Sequence, residues 1–233
     1  MLNNAFLQNY INTGFDKVEG WCDPTLFKIM DFLENAEINK LGGCLEIGIH
    51  HGKFFILLNS LIDRQFDSYA IDLFDAQEFN IDRSGLGSLQ AFKQNLVNFD
   101  RHQGENTKII SGDSTDSKLI RDLSEHVGTI RYLSIDGGHT PEHTISDLNL
   151  ASTLVNNQGV VILDDILNHH WLGVLEGASS FLNNKPTLLP FAIGSNKLFL
   201  SKISCNPYYF KLFSNSHFNT KIVSFFGYPI VAI

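Results

Sequence analysis

The chain has 233 residues, 43% hydrophobic and 18% charged, enough apolar material for one sizeable core and a length that favours one domain over two. Its net charge is −8, its sequence pI is about 5.5 and it has no basic run, so nucleic acid and anionic membrane surfaces are not expected partners. Cys22, Cys44 and Cys205 are far apart and form no Cys-x-x-Cys pair, which reads as free thiols in a reducing compartment, not a disulfide framework or a zinc site. No basic-then-apolar leader opens the chain and no apolar run approaches the roughly 18 residues of a membrane span, so a cytoplasmic protein without a membrane partner is expected.

Residues 1–40 read as a helical N-terminal extension. Leu26, Ile29, Met30 and Leu33 recur at helical spacing behind Asp23 and Pro24, a cap and first helical position. Trp21, just before that helix, is expected to pack on the sheet in preference to covering a ligand. From residue 41 the pattern becomes strands alternating with helices, which implies a mainly parallel sheet covered on both faces. The expected strands are Cys44–Ile47, Ser68–Asp72, Lys108–Ser111, Ile130–Ile135, Val160–Leu163, Leu188–Ile193 and Lys197–Ser201. The last two flank the turn Gly194-Ser195-Asn196 and would supply an antiparallel edge strand. Helices are expected over Ser88–Phe99, after Gly112-Asp113-Ser114, from Thr140-Pro141 onward and over Val174–Leu182. The polar stretch from Leu73 to Gly87 is long enough to be a lid or binding loop.

The chain is organised around Cys44-Leu45-Glu46-Ile47-Gly48-Ile49-His50-His51-Gly52-Lys53, a buried strand, a glycine-punctuated turn and the start of an apolar helix. Glycines there let the backbone approach a ligand, and the helix N-terminus offers free N–H groups. Glu46 stands where a dinucleotide fingerprint has its first glycine, which argues against NAD. Carboxylates end five successive strands: Glu46, Asp72, Asp113, Asp136 and the pair Asp164-Asp165. In a parallel sheet these ends face the ligand crevice, so a cationic ligand, a metal or both are expected.

The segment Leu45–Gly52 resembles the first motif of class I S-adenosylmethionine (SAM) dependent methyltransferases. The resemblance covers roughly residues 40–202 and implies a Rossmann-like, doubly wound, mainly parallel seven-stranded sheet with an antiparallel edge strand and helices on both faces. It implies that SAM is held by Glu46, Gly48, His50, Gly52 and Lys53, by Asp72 and Leu73 at the ribose, by Asp113 and Ser114 at the adenine, and by Asp136. Ile135-Asp136-Gly137-Gly138-His139-Thr140-Pro141-Glu142 is similar to the Asp-Gly-x-His-x-Tyr-Glu motif of the branch that includes antibiotic-sugar O-methyltransferases resembling macrocin O-methyltransferase; Pro141 replaces the usual Tyr. In that branch, residues matching Asp136, Asp164 and Asp165 hold Mg²⁺ or another divalent cation.

His139 is the leading base candidate, since a neutral imidazole can accept a hydroxyl proton at physiological pH; bonding the adjacent loop is the equal alternative. His169, in His169-His170-Trp171, is the second candidate. His50-His51 is expected to face solvent or the methionine end of SAM.

The expectation is one methyltransferase domain over 1–233, made of the 1–40 extension, a 41–202 SAM-binding core and a 203–233 aromatic C-terminal extension. It would carry out metal-assisted O-methylation of a small hydroxylated acceptor. An NAD(P)-dependent oxidoreductase and a non-catalytic SAM-fold interaction protein are the alternatives. The apolar C-terminus Phe225–Ile233 is expected to dock on its own domain or on a neighbouring subunit of a homo-oligomer, with the subunit preferred.

Overall fold

The computed structural model describes residues 2–36, 38 and 40–233. Strand β1 (Gly43–Ile47) is buried along its whole length and lies at the centre. It pairs in parallel with β2 (Ser68–Asp72) on one side and β4 (Ile130–Ile135) on the other. Outside β2 runs β3 (Thr107–Ser111), and outside β4 runs β5 (Val155–Leu163), both parallel. The hairpin β6 (Leu188–Gly194) and β7 (Lys197–Lys202) enters with β7 antiparallel to β5. The strand order therefore reverses between β1 and β4, which is where a doubly wound sheet leaves a crevice.

Neighbouring residues along each strand feed opposite faces, as the pleat requires. Cys44, Tyr132 and Val160 join the core under α1 (Ala5–Thr13), α2 (Thr25–Glu34), α3 (Lys53–Asn59) and α4 (Leu89–Phe99). Leu45, Leu133 and Val161 join the core under α5 (Ser117–His126), α6 (Pro141–Leu154) and α7 (Leu172–Asn183). The caps are local chemistry: Ser88 accepts from Ala91 N at 3.3 Å, and Thr140 accepts from His143 N with Pro141 in the first turn. At α2 the expected cap forms. Pro24 is already helical in backbone, and Asp23 Oδ1 accepts from the Thr25 N–H and hydroxyl, both at 2.8 Å.

The sheet has nine strands in the order β3-β2-β1-β4-β5-β7-β6-β9-β8, so the expected seven are extended by two. The added pair is a hairpin, β8 (Lys221–Phe225) and β9 (Tyr228–Ala232), which docks in parallel on β6 through Ala192–Val231 and Ile193–Ala232. Its two-residue turn, Phe226-Gly227, has φ of 47° and 86°, the left-handed geometry that matches strand twist. Helix α8 (Asn206–Ser214) packs Tyr209 and Phe213 into the first core. The preference for a neighbouring subunit is thus corrected: Ile230 and Val231 are buried by this chain's own sheet. Among the described residues no helix is long and apolar enough to cross a membrane, and the three cysteines are free.

Candidate active site

The turn after β1 is shaped by a close approach to β4. Register sets Ile47 beside Ile135, so Gly48 meets Asp136. Gly48 has φ 84°, and a Cβ there would lie 1.8 Å from the Asp136 carbonyl oxygen; only glycine fits. Gly52, at φ 89°, caps α3, and a Cβ there would run into the Phe92 ring at 2.6 Å. The turn is held from β2. Asp72 Oδ2 accepts from Ile49 N at 2.5 Å and His50 N at 2.8 Å, while Oδ1 accepts from Phe74 N at 2.5 Å. Asp72 thus fixes the glycine turn and still borders the cavity.

At the end of β3, Asp113 Oδ1 accepts from the Thr115 N–H and hydroxyl at 2.8 and 2.7 Å, and the His143 ring stands 3.7 Å away. Ser114 beside it is buried. Lys53 is tied in from the N-terminal extension: its ammonium sits 4.4 Å over the Phe15 ring, and the Tyr10 hydroxyl donates to its carbonyl at 2.9 Å. Trp21 does not pack on the sheet. It is 78% exposed and tilts against the His50 ring at 5.4 Å, on the rim of the cavity. The His50 and His51 rings stack at 4.0 Å, and burial, followed by the neighbouring His51, pushes the His50 pKa down.

Beyond the switch point the acids gather. Glu46 is buried, and burial first, then Asp136, holds its carboxyl well above the usual range. Asp136 is pushed up to about 7 by burial and by Asp164. Asp164 is engaged by Lys197, a lysine only 2% exposed at the start of β7, whose ammonium also lies 4.5 Å over the Phe54 ring. Burial lowers the Lys197 pKa, but Asp164 and Asp136 outweigh it and the net shift is upward. Asp165 has φ 57°, a left-handed position. Its Oδ1 accepts from the Asn168 and Asn196 amides at 3.0 and 2.8 Å, so the β6–β7 turn braces the loop after β5.

His139 joins these groups. Its backbone N–H and Nδ1 both donate to Asp82 Oδ2, at 2.8 and 2.5 Å, and its Nε2 is 3.1 Å from Asp165 and 3.8 Å from Asp136. Trp171 stacks on the ring at 4.4 Å with 16° between planes. Burial works against the charged ring, but Asp136, Asp165 and Asp82 raise its pKa to about 11. The three carboxylates thus favour the protonated ring when no other cation stands among them.

One cavity of about 600 Å³ runs past Glu46, Gly48, His50, Lys53, Asp72, Leu73, Asp113, Ser114, Asp136, His139, Asp164 and Asp165. Gly52 stands behind it as the α3 cap, and His169 is exposed beside His170, outside the lining. The metal expectation is redistributed. Ligand atoms of Asp136, His139 and Asp165 lie within 4.8 Å of one another, a donor set that fits a divalent cation, whereas Asp164, with its Oδ2 engaged by Lys197, falls outside that set. Sequence reasoning did not assign Asp82, His143, Asn196 or Lys197 to the site. Asp82, in the polar 73–87 loop, and Asn196, in a Gly-Ser-Asn turn, carried a local signal.

The methyltransferase domain family matches this chain over residues 45–166. An uncharacterized protein of Acanthamoeba polyphaga mimivirus is 33% identical over 85 residues, 36% of this chain and 38% of that protein. The 8-demethyl-8-alpha-L-rhamnosyl tetracenomycin-C 2'-O-methyltransferase of Streptomyces olivaceus is 22% identical over 98 residues, 38% of this chain and 26% of that enzyme. These alignments therefore span less than half of either relative. In fold, the chain is similar to the MycE methyltransferase from the mycinamycin biosynthetic pathway in complex with Mg, SAH and mycinamycin VI. The TM-score is 0.57 at 14% identity, covering 86% of this chain and 54% of that one. With a glycine turn closed against β4, an acid at the end of β2 and a family match across the β1–β5 core, the chain belongs to the methyltransferase domain family.

Proposed function

We propose that the protein is an O-methyltransferase that transfers the methyl group of SAM to a small hydroxylated acceptor at the acid cluster, with a divalent cation assisting. One observation carries this reading: the glycine turn with Asp72 and the cluster Asp136–His139–Asp165 line a single continuous cavity. Cofactor and acceptor would meet where strand order reverses. Glu46, Gly48, His50, Gly52, Lys53, Asp72, Leu73, Asp113, Ser114 and Asp136 would hold SAM, which supplies a methyl group on a sulfonium. The tetracenomycin enzyme, by its name a 2'-O-methyltransferase, and the Mg in the MycE complex support the O-methyl and metal readings.

A divalent ion on Asp136 and Asp165, with Asp164 if Lys197 releases it, would supply a Lewis acid for the acceptor oxygen. The chain's own groups do the rest. Trp171 and Asp82 fix the His139 ring, so that Nε2 is the atom that holds or takes a proton at the cluster. An imidazolium accepts no proton, so the base role requires a cation to take over Asp136 and Asp165. Trp21 and Trp171 rim the cavity and would exclude water from the reacting groups.

Calorimetry with SAM, S-adenosylhomocysteine (SAH) and NAD tests the cofactor half. SAM and SAH are expected to bind and NAD not to, and Asp72→Ala should weaken SAH binding on the order of 100-fold, because it loses charged hydrogen bonds and the brace of the turn. Radiolabelled methyl transfer to a panel of sugars, phenols and hydroxy acids tests the rest: EDTA should abolish turnover and Mg²⁺ or Mn²⁺ restore it. Full turnover in EDTA would remove the metal from the reading.

A further inference from the structure

The loop between β2 and α4 reaches across the cavity and ends on His139. Residues 80–84 form a self-braced turn: the Asn80 amide donates to Gln77 Oε1 at 2.8 Å and to the Ser84 carbonyl at 2.7 Å, and Arg83 N donates to Asn80 Oδ1 at 3.1 Å. Phe79 and Ile81, on either side of Asn80, are 62% and 63% exposed, so apolar burial does not seat this segment. At its tip Asp82 accepts from both the backbone N–H and the Nδ1 of His139, and both side chains are largely buried.

Two constraints then act on one ring. Trp171 sets its plane by stacking, and Asp82 sets its rotation within that plane. With Nδ1 given to Asp82, Nε2 faces Asp165 and Asp136. We infer that Asp82 is the positioning residue for His139, delivered by the 73–87 loop, so that seating the loop and aiming Nε2 at the acid cluster are one event. This rests on the reading of His139 as the group that handles the proton. It adds the element that orients it and makes that orientation depend on a segment from across the cavity. An aspartate that receives the far nitrogen of an imidazole fixes which nitrogen faces the chemistry.

The test uses the full chain without any acceptor. The His139 Nδ1–H in a short hydrogen bond to a carboxylate is expected to give a far-downfield proton resonance, identified by its loss in His139→Ala. Asp82→Ala should abolish that resonance and raise the rate of trypsin cleavage after Arg83 on the order of tenfold or more, because the two hydrogen bonds from His139 then no longer hold the loop and native-state cleavage follows the open population. Asp82→Asn keeps an acceptor, and should retain an upfield-shifted resonance and return cleavage to within about threefold of the parent chain. It decides the matter alone if Asp82→Ala does not fold by circular dichroism. A resonance and cleavage rate unchanged in the folded variants would overturn the inference. Failure of the parent chain to bind SAH would instead overturn the cofactor reading and leave this one standing, since both readouts come from ligand-free protein.

Discussion

The two ends of the central strands handle buried charge in opposite ways. At the amino end, Arg131, 1% exposed on β4, meets Glu34 of α2 at 2.8 Å; Lys40 stands 3.2 Å from the same carboxylate, and the Tyr132 hydroxyl donates to it at 3.4 Å. Among the described residues of this cluster, Arg131 and Lys40 both meet the Glu34 carboxylate. At the carboxyl end, Glu46, Asp82, Asp136, Asp164 and Asp165 share Lys197 and His139. The first arrangement is closed and holds the fold together. The second has more acids than cations; burial and then the neighbouring carboxylates raise the pKa of Glu46 and Asp136, and the cluster is left open to a cationic ligand.

If that contrast is right, breaking the amino end should cost stability and little else. Arg131→Ala leaves Glu34 half-buried without its main partner and is expected to lose about 3–5 kcal/mol in urea denaturation, with SAH affinity unchanged in the folded fraction. Asp147 on α6 is the next largest effect. It is fully buried beside Ser114 and Gly137, and burial pushes its pKa up to about 7, only partly offset by the Ser114 hydroxyl. Because the folded pKa lies above the unfolded value, the folded state keeps its proton longer, and stability should fall as pH rises between about 4 and 7. Asp147→Asn removes that loss. It should be more stable than the parent chain by about 2–4 kcal/mol at pH 8, the difference vanishing near pH 4. An equal gain at both pH values would show that charge is not the cause.

Lys197→Met probes the open end directly. Releasing Asp164 and removing a positive charge should tighten Mn²⁺ binding, followed by electron paramagnetic resonance, on the order of tenfold. Unchanged affinity would mean that Lys197 does not compete with the ion. The smallest effect is expected at Trp21, whose ring is solvated. Trp21→Ala should alter stability by less than about 0.5 kcal/mol yet weaken SAH binding a few-fold. The reverse pattern would make it a packing residue after all.

What could be read from the sequence was whatever a local rule enforces. Gly48 and Gly52 stand where no side chain fits, and the strand-end acids follow short apolar runs that end in turns, so the cofactor half of the cavity was legible. The partners of those acids were not. Asp82 lies 57 residues from His139, and Lys197 lies 33 residues from Asp164; no periodicity links a loop tip to a strand end or a hairpin to a parallel core. Trp21 was misread because large aromatics are usually buried, while here its ring is free at a rim. The C-terminal apolar stretch signalled docking correctly, but its partner strand is set by topology. The Phe226-Gly227 turn between two apolar runs was the hairpin signal that went unused.

Lys197 lies on the seventh strand, so a chain growing from its amino end makes Glu46, Asp136 and Asp164 before the cation that engages Asp164. During synthesis, a chain that has emerged only through β6 holds these acids without that ammonium, and the crevice must stay hydrated or take up protons. Chains held on the ribosome with β6 outside the exit tunnel and β7 still inside it should therefore remain protease-sensitive, and chains that have fully extruded β7 should become resistant. The emergence of β7 then decides when the first motif becomes a settled part of a folded domain.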